Sequence, residues 1–191
     1  LGKGVDYAAR MVISTCRVNS LSPNSMEVDF GHTAIPLSAV IECFAPFIHY
    51  GFQQFVRSQV NNSDYVFAKN KKGELERIKL ASNWEECLLK DQIQALIKLY
   101  TDSKEHRLDF FTLEAEDGSR VPLSYIHNDD KGIRIGTVDS FSGVKARPLT
   151  LCEMFYIIAE NTVHNKSIMI TRYPIEDYPN IYPSLMNIVP Y

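Results

Sequence analysis

The chain of 191 residues is marked first by what it lacks. No apolar run approaches the ~18 residues needed to span a bilayer, and no signal-peptide pattern is visible. Cysteine is sparse: Cys16, Cys43, Cys87 and Cys152 lie far apart and none forms a C-x-x-C pair. That spacing argues against a zinc ribbon or a dithiol redox site, and leaves buried, reduced thiols of a cytoplasmic protein as the expectation. There is no surplus of positive charge either. Twenty Lys and Arg stand against 23 Asp and Glu, for a net charge of −3. Composition therefore does not describe a basic nucleic-acid module, and any phosphate contact has to be local or shared with another chain.

The common catalytic signatures are missing too. Gly2-Lys3-Gly4 fits neither the G-x-x-x-x-G-K-[ST] spacing of a phosphate loop nor the G-x-G-x-x-G of a dinucleotide site, and reads as a turn into a strand. His32, His49, His106, His127 and His164 include no pair four apart on a helix and no H-E-x-x-H frame, and no G-x-S-x-G occurs. Glu176 and Asp177 are adjacent carboxylates. On extended chain neighbours point to opposite faces, so the pair is expected to be solvated or salt-bridged, and not to hold a metal.

What is present falls into three segments. In the first, residues 1–51, "RMVISTC" (10–16) and "SMEVDF" (25–30) read as strands around a turn-rich "NSLSPNS". "PLSAVIECFAPFI" then places Leu37, Val40, Ile41, Phe44, Phe47 and Ile48 on one stripe, which predicts a helix. Pro36 suits its first turn, and Pro46 predicts a kink or an end.

The second segment, 52–146, is richer in Lys, Asn, Asp and Glu and reads as a self-contained α+β insertion. It holds a charged hairpin or loop around Gly73. A helix over "SNWEECLLKDQIQALIKLY" carries a capping box, Ser82 with Glu85, and a stripe of Leu89, Ile93, Leu96, Ile97 and Tyr100. Two strands follow around Asp117-Gly118, then a short strand at "GIRIGTV".

The third segment, 147–191, opens with a second capping box, Thr150 with Glu153, on a helix whose stripe is Leu151, Met154, Phe155 and Ile158. "KSIMITRYP" (166–174) is a strand. The tail, with prolines at 179, 183 and 190, is expected to be extended or irregular. The chain opens without methionine and closes on apolar "NIVPY", which leads us to expect a segment of a larger polypeptide. Lys3, Arg10 and Arg172 are cations at strand ends flanked by Gly or Pro, an arrangement suited to recognising phosphate or hydroxyl groups in a shared cleft.

Three stretches resemble one family. "GKGVDYAARMVI" resembles the G-K-R-V-D-Y-S-x-R-x-V-I pattern of the largest (β′-type) subunit of multisubunit DNA-dependent RNA polymerases. "IPLSAVIECFAPFI" is similar to the family's L-P-x-x-x-A-x-E-L-F-x-P-F-I helix, and "SIMITRYP" to its V-L-L-N-R-x-P strand. They occur in the family's order, with the helix "TLCEMFYIIAENTV" just before the third, and lie towards the two ends of the chain. The middle segment has no counterpart. The family's arginine after Gly-Lys is Gly4 here, its asparagine before the later arginine is Thr171, and "IEDYPNI" replaces T-L-H-R-x-G after Pro174. The catalytic N-A-D-F-D-G-D loop is absent. Such divergence looks most like the split β′-like subunits of large DNA bacteriophages.

The resemblance implies an α+β fold that forms part of a double-psi β-barrel, with flanking helices and an inserted α+β segment. Residues 1–51 would begin the barrel and 147–191 return to it. It implies a nucleotidyltransferase active only in an assembly, with Mg²⁺ held by aspartates on another segment or chain. Partners would be the remaining polymerase subunits, template DNA, nascent RNA and nucleoside triphosphates, in the cytoplasm of a bacterial host. By position, Arg172 matches the family arginine near the sugar hydroxyls of the incoming nucleotide, and Pro174 shapes that pocket. Arg10 and Lys3 match nucleic-acid contacts, and Asp6 and Tyr7 belong to the same stretch as structural or DNA-proximal residues. The competing reading is a non-catalytic binding or scaffold protein on a barrel-like frame, which the acidic net charge suits.

Overall fold

A computed structural model describes residues 8–11, 31–60, 64–70, 72–129, 132–136, 146–163, 166–171 and 181–189. The expected strand at 25–30, most of that at 10–16, the Gly2-Lys3-Gly4 turn, Cys16, His164 and the Glu176-Asp177 pair lie outside these residues. Residues 8–11 carry no regular structure.

The fold is mixed α+β with several small sheets, none of them closed among the described residues. Strand β1 (His32–Pro36) leads directly into helix α1 (Leu37–Cys43), and α2 (Ala45–Gln59) follows after the single residue Phe44. The stripe expected as one helix is thus two helices. Pro46 stands in the first turn of the second, where a missing N–H costs nothing. Helix α2 runs well past position 51.

The middle of the chain forms hairpin β2 (Tyr65–Lys69) and β3 (Leu75–Lys79), helix α3 (Lys90–Asp102), and hairpin β4 (Thr112–Glu114) and β5 (Arg120–Pro122). Gly73 and Gly118 take φ of +80° and +78° in the two turns, a conformation that glycine adopts without a Cβ penalty. Asp117 Oδ1 accepts from the Ser119 N–H, 2.9 Å, closing the second turn locally. Strand β6 (Tyr125–Asp129) pairs with β7 (Gly132–Gly136) and with the short β8 (Arg147–Pro148).

The chain then enters α4 (Leu151–Val163), β9 (Ser167–Thr171) and β10 (Ile181–Val189). Of the two alternatives for the tail, extended or irregular, β10 realises the extended one over Ile181–Val189. It is the centre of a three-stranded sheet, parallel to β1 and antiparallel to β9. Pro183 is tolerated because β1 pairs only with Leu185–Val189, so the proline lies where the strand has a neighbour on one side alone. Buried Ser184 is satisfied across the β1 side, by Thr33 Oγ1 at 2.8 Å and the Gly31 carbonyl at 3.0 Å.

The Ser82–Glu85 capping box also fails. Residues Trp84–Leu88 form a 3₁₀ turn, and α3 starts after Leu89 with no side-chain cap. Trp84 Nε1 donates to Asp64 Oδ1 at 3.0 Å, Gln53 Nε2 donates to the Leu88 carbonyl at 2.9 Å, and Leu88 is buried. These contacts outweigh the local preference to start a helix at Ser82. Leu89, expected on the buried stripe, is exposed, whereas Ile93 and Tyr100 are fully buried.

One hydrophobic cluster joins these elements. It takes Leu37, Val40, Ile48 and Phe52 from α1 and α2, and Leu151, Met154, Phe155 and Ile158 from α4. Ile35, Met186 and Ile188 come from the sheet, and Val66, Ile93, Tyr100 and Leu113 from the middle segment.

Candidate functional site

The elements that carry the second and third motifs are packed together although more than 100 residues separate them in sequence. Gly51 sets the approach of α2 to α4. A Cβ there would lie 2.4 Å from Thr162 Cγ2 and 2.8 Å from Ile158 Cγ2, so only glycine fits. Phe52 and Phe155 rings sit 6.4 Å apart on the same seam, and Phe155 contacts Tyr100 at 5.3 Å. At the far end of α4, Lys166 Nζ stands 4.7 Å over the Phe47 ring, joining the approach to β9 with α2.

β9 ends at Thr171, which pairs with Ile181 at the start of β10. Arg172 and Pro174 follow it in sequence and lie outside the described residues, as do Lys3, Asp6 and Tyr7. Arg10 is described and is exposed on irregular chain.

α4 itself is anchored at its N-terminus. The Thr150 N–H donates to Glu153 Oε2 at 3.0 Å, and the Glu153 N–H donates to Thr150 Oγ1 at 3.3 Å, the reciprocal capping box expected from sequence. Arg147 donates to both Glu153 carboxylate oxygens, Nη1 at 2.8 Å to Oε2. That guanidinium, helped by the Thr150 bonds, holds the Glu153 carboxyl below its ordinary range against the opposing effect of burial.

A second feature escaped the sequence reading. An open groove of about 600 Å³ lies where the α1–α2 break faces α3, lined among others by Glu42, Cys43, His49, Tyr50, Lys90 and Gln94. His49 Nε2 is enclosed there without a hydrogen-bond partner. Burial, then the Lys90 charge, lowers the His49 pKa, and burial, then Glu42, raises that of Cys43. Both shifts favour the neutral forms of thiol and imidazole. The one signal in sequence was Pro46, which marks the helix break that opens the groove.

Cys43, Cys87 and Cys152 are thiols outside any disulfide, each half-buried, with that of Cys87 pushed up to about 11 chiefly by burial. Among the described residues no helix is long and apolar enough to cross a membrane. No family model, no curated protein and no solved structure matches the chain.

Proposed function

We propose that this chain is a segment of the β′-like subunit of a multisubunit DNA-dependent RNA polymerase, contributing strands and helices to a double-psi β-barrel and acting only within an assembly. One observation carries the reading. The second motif, the helix before the third and the start of the third fall, in the family's order, on elements that share one hydrophobic cluster: β1 leads into α1 and α2, α4 lies against α2 across Gly51, and β9 stands beside β10, which pairs with β1. Residues 1–51 and 147–191 would supply the barrel, with 52–146 as an insertion. Mg²⁺ would be held by aspartates outside this chain, and would supply two-metal chemistry for the RNA 3′-hydroxyl and the departing pyrophosphate. This chain's part is positioning. Arg172 would hydrogen-bond the sugar hydroxyls of the incoming nucleotide with Pro174 shaping that pocket, while Arg10 and Lys3 would hold nucleic acid beside Asp6 and Tyr7.

The test is to purify the complex that forms around the tagged full-length protein in its native cell and assay it for template-directed RNA synthesis. The expected result is such activity, with Arg172→Ala lowering the preference for ribo- over deoxyribonucleotides by about tenfold, the loss expected for one hydrogen bond of about 1.4 kcal/mol. A complex without polymerase activity overturns the reading in favour of a binding or scaffold protein. Unchanged discrimination in Arg172→Ala overturns the role given to that arginine.

A further inference from the structure

The β2–β3 hairpin belongs to the middle segment, for which the family resemblance offers no role. Its two faces differ sharply. Val66 and Ala68 point into the core and are buried. Because side chains alternate along a strand, Tyr65, Phe67 and Lys69 share the opposite face. Their antiparallel partners Lys79, Arg77 and Leu75 lie directly across on that same face. One side of the hairpin therefore carries two aromatic rings, a leucine and three cations.

The charge is local and one-sided. Residues 69–79 hold five cations, Lys69, Lys71, Lys72, Arg77 and Lys79, against Glu74 and Glu76, in a chain whose net charge is −3. Glu76 is in register with Ala68 and so belongs to the core-side face, while Glu74 sits at the turn beside Asn70. Two carboxylates border the cationic face. Asp64 takes the Trp84 indole N–H, and Glu116 pairs with Lys79 at 3.1 Å. Lys69 and Arg77 are exposed.

The geometry is also specific. The Arg77 guanidinium lies over the Tyr65 ring, 3.8 Å from its centroid, and so presents its outer plane to solvent. Phe67 is the covered part of this face: it packs against buried Tyr125 of β6, and Tyr125 is hydrogen-bonded to the Lys69 backbone, which fixes the hairpin and leaves Lys69, Leu75 and Arg77 exposed beside half-buried Tyr65. On the β6–β7 sheet Arg134 pairs directly with His127. A rigid strand face with stacked Arg and Tyr planes and flanking lysines fits alternating bases and phosphates: planes for the bases, cations for the backbone.

We propose that this outer face of β2–β3 binds single-stranded nucleic acid, with Arg77 on Tyr65 as a stacking platform and Lys69 and Arg77 contacting phosphates. The proposal stands apart from the polymerase reading, because it uses only residues of the middle segment and no family motif.

The experiment measures binding of the full 191-residue chain to a fluorescent 16-nucleotide oligothymidylate across a range of salt concentrations. Lys69→Gln with Arg77→Gln is expected to weaken binding about tenfold or more. It should also reduce the slope of log affinity against log salt by about 1.4, at ~0.7 per lost phosphate contact. Tyr65→Leu, which keeps apolar bulk, is expected to weaken the oligonucleotide about fivefold, as loss of stacking does, and to leave binding of the base-free polyanion heparin unchanged. Lys98→Gln, an exposed cation on α3, should change either by less than about twofold, since it removes one solvated surface charge. No binding, an unchanged salt slope in the double variant, or an equal effect of Lys98→Gln overturns the proposal. So does equal loss of oligonucleotide and heparin in Tyr65→Leu, which would mark a surface for acidic protein or another polyanion.

Discussion

Helices α3 and α4 are both 13 residues long and enter the same hydrophobic cluster, yet they are held by different means. α4 buries Leu151, Met154, Phe155, Ile158, Ala159 and Val163 and has a side-chain cap. α3 buries only Ile93 and Tyr100, begins after Leu89 without a side-chain cap, and relies on the 3₁₀ turn ahead of it. α4 is specified both locally and by packing. α3 is specified by where its neighbours hold it. α4 is thus determined twice over, and α3 is attached to the shared cluster through fewer anchors.

The largest effect should come from the shared seam. Phe155 is fully buried between Phe52 and Tyr100, so Phe155→Ala should cost about 3–5 kcal/mol, whereas Ile93→Ala on α3 should cost about 2–4. Urea unfolding of the full chain, read at its midpoint and slope, measures both. An Ile93→Ala variant less stable than Phe155→Ala would break the contrast.

A smaller loss is expected where α2 crosses α4. In an isolated helix Gly51→Ala would gain about 1 kcal/mol from backbone entropy. Here the new methyl meets Thr162 Cγ2 and Ile158 Cγ2. Thr162 cannot swing away without breaking its bond to the Ile158 carbonyl, 2.6 Å. Overpacking should win, for a net loss of about 1–2 kcal/mol. Thr162→Ser added to Gly51→Ala removes the nearest methyl and should restore part of it. A more stable Gly51→Ala protein would show that the two helices can separate freely at this crossing.

How much of this was legible in the sequence follows the same division. The apolar stripe and capping box of α4, strand β9, and the hairpins around Gly73 and Gly118 rest on near-neighbour physics, and the sequence carries it. The 3₁₀ start of α3 depends on Asp64 meeting Trp84 and Gln53 meeting Leu88, contacts between residues distant in sequence that no local pattern encodes. For β10 the prolines left extended and irregular chain both open, because the sequence does not say that β9 pairs with one half of the strand and β1 with the other. β1 is only five residues long and half-buried apart from Ile35, so it offered no periodic signal. For the site, motif order named Arg172, Pro174, Lys3, Arg10, Asp6 and Tyr7. The groove at His49 was missed because it arises from helices brought together by the fold, and the outer face of β2–β3 because its cations and rings alternate with core residues.

The finest discrimination lies in the two capping boxes, identical as patterns and different in outcome. Thr150→Ala removes a formed cap and should cost about 1 kcal/mol, while Ser82→Ala removes none and should stay within about 0.5. Acid titration of stability sharpens the point. Glu153 is held below its ordinary value of 4.5 in the folded chain, first by the Arg147 hydrogen bonds. A depressed folded pKa means that the unfolded chain binds the proton more tightly. The contribution of this carboxylate is therefore complete above about pH 4.5 and is lost as pH falls through the lower folded value. Glu153→Gln should lower stability at neutral pH and flatten its decline below pH 4.5, bringing it close to the wild-type protein in strong acid. Glu85→Gln should change neither, because its box never closes. If the acid limb of Glu153→Gln runs parallel to that of the wild type, the carboxylate is not what fixes the start of α4, and packing alone sets both helices.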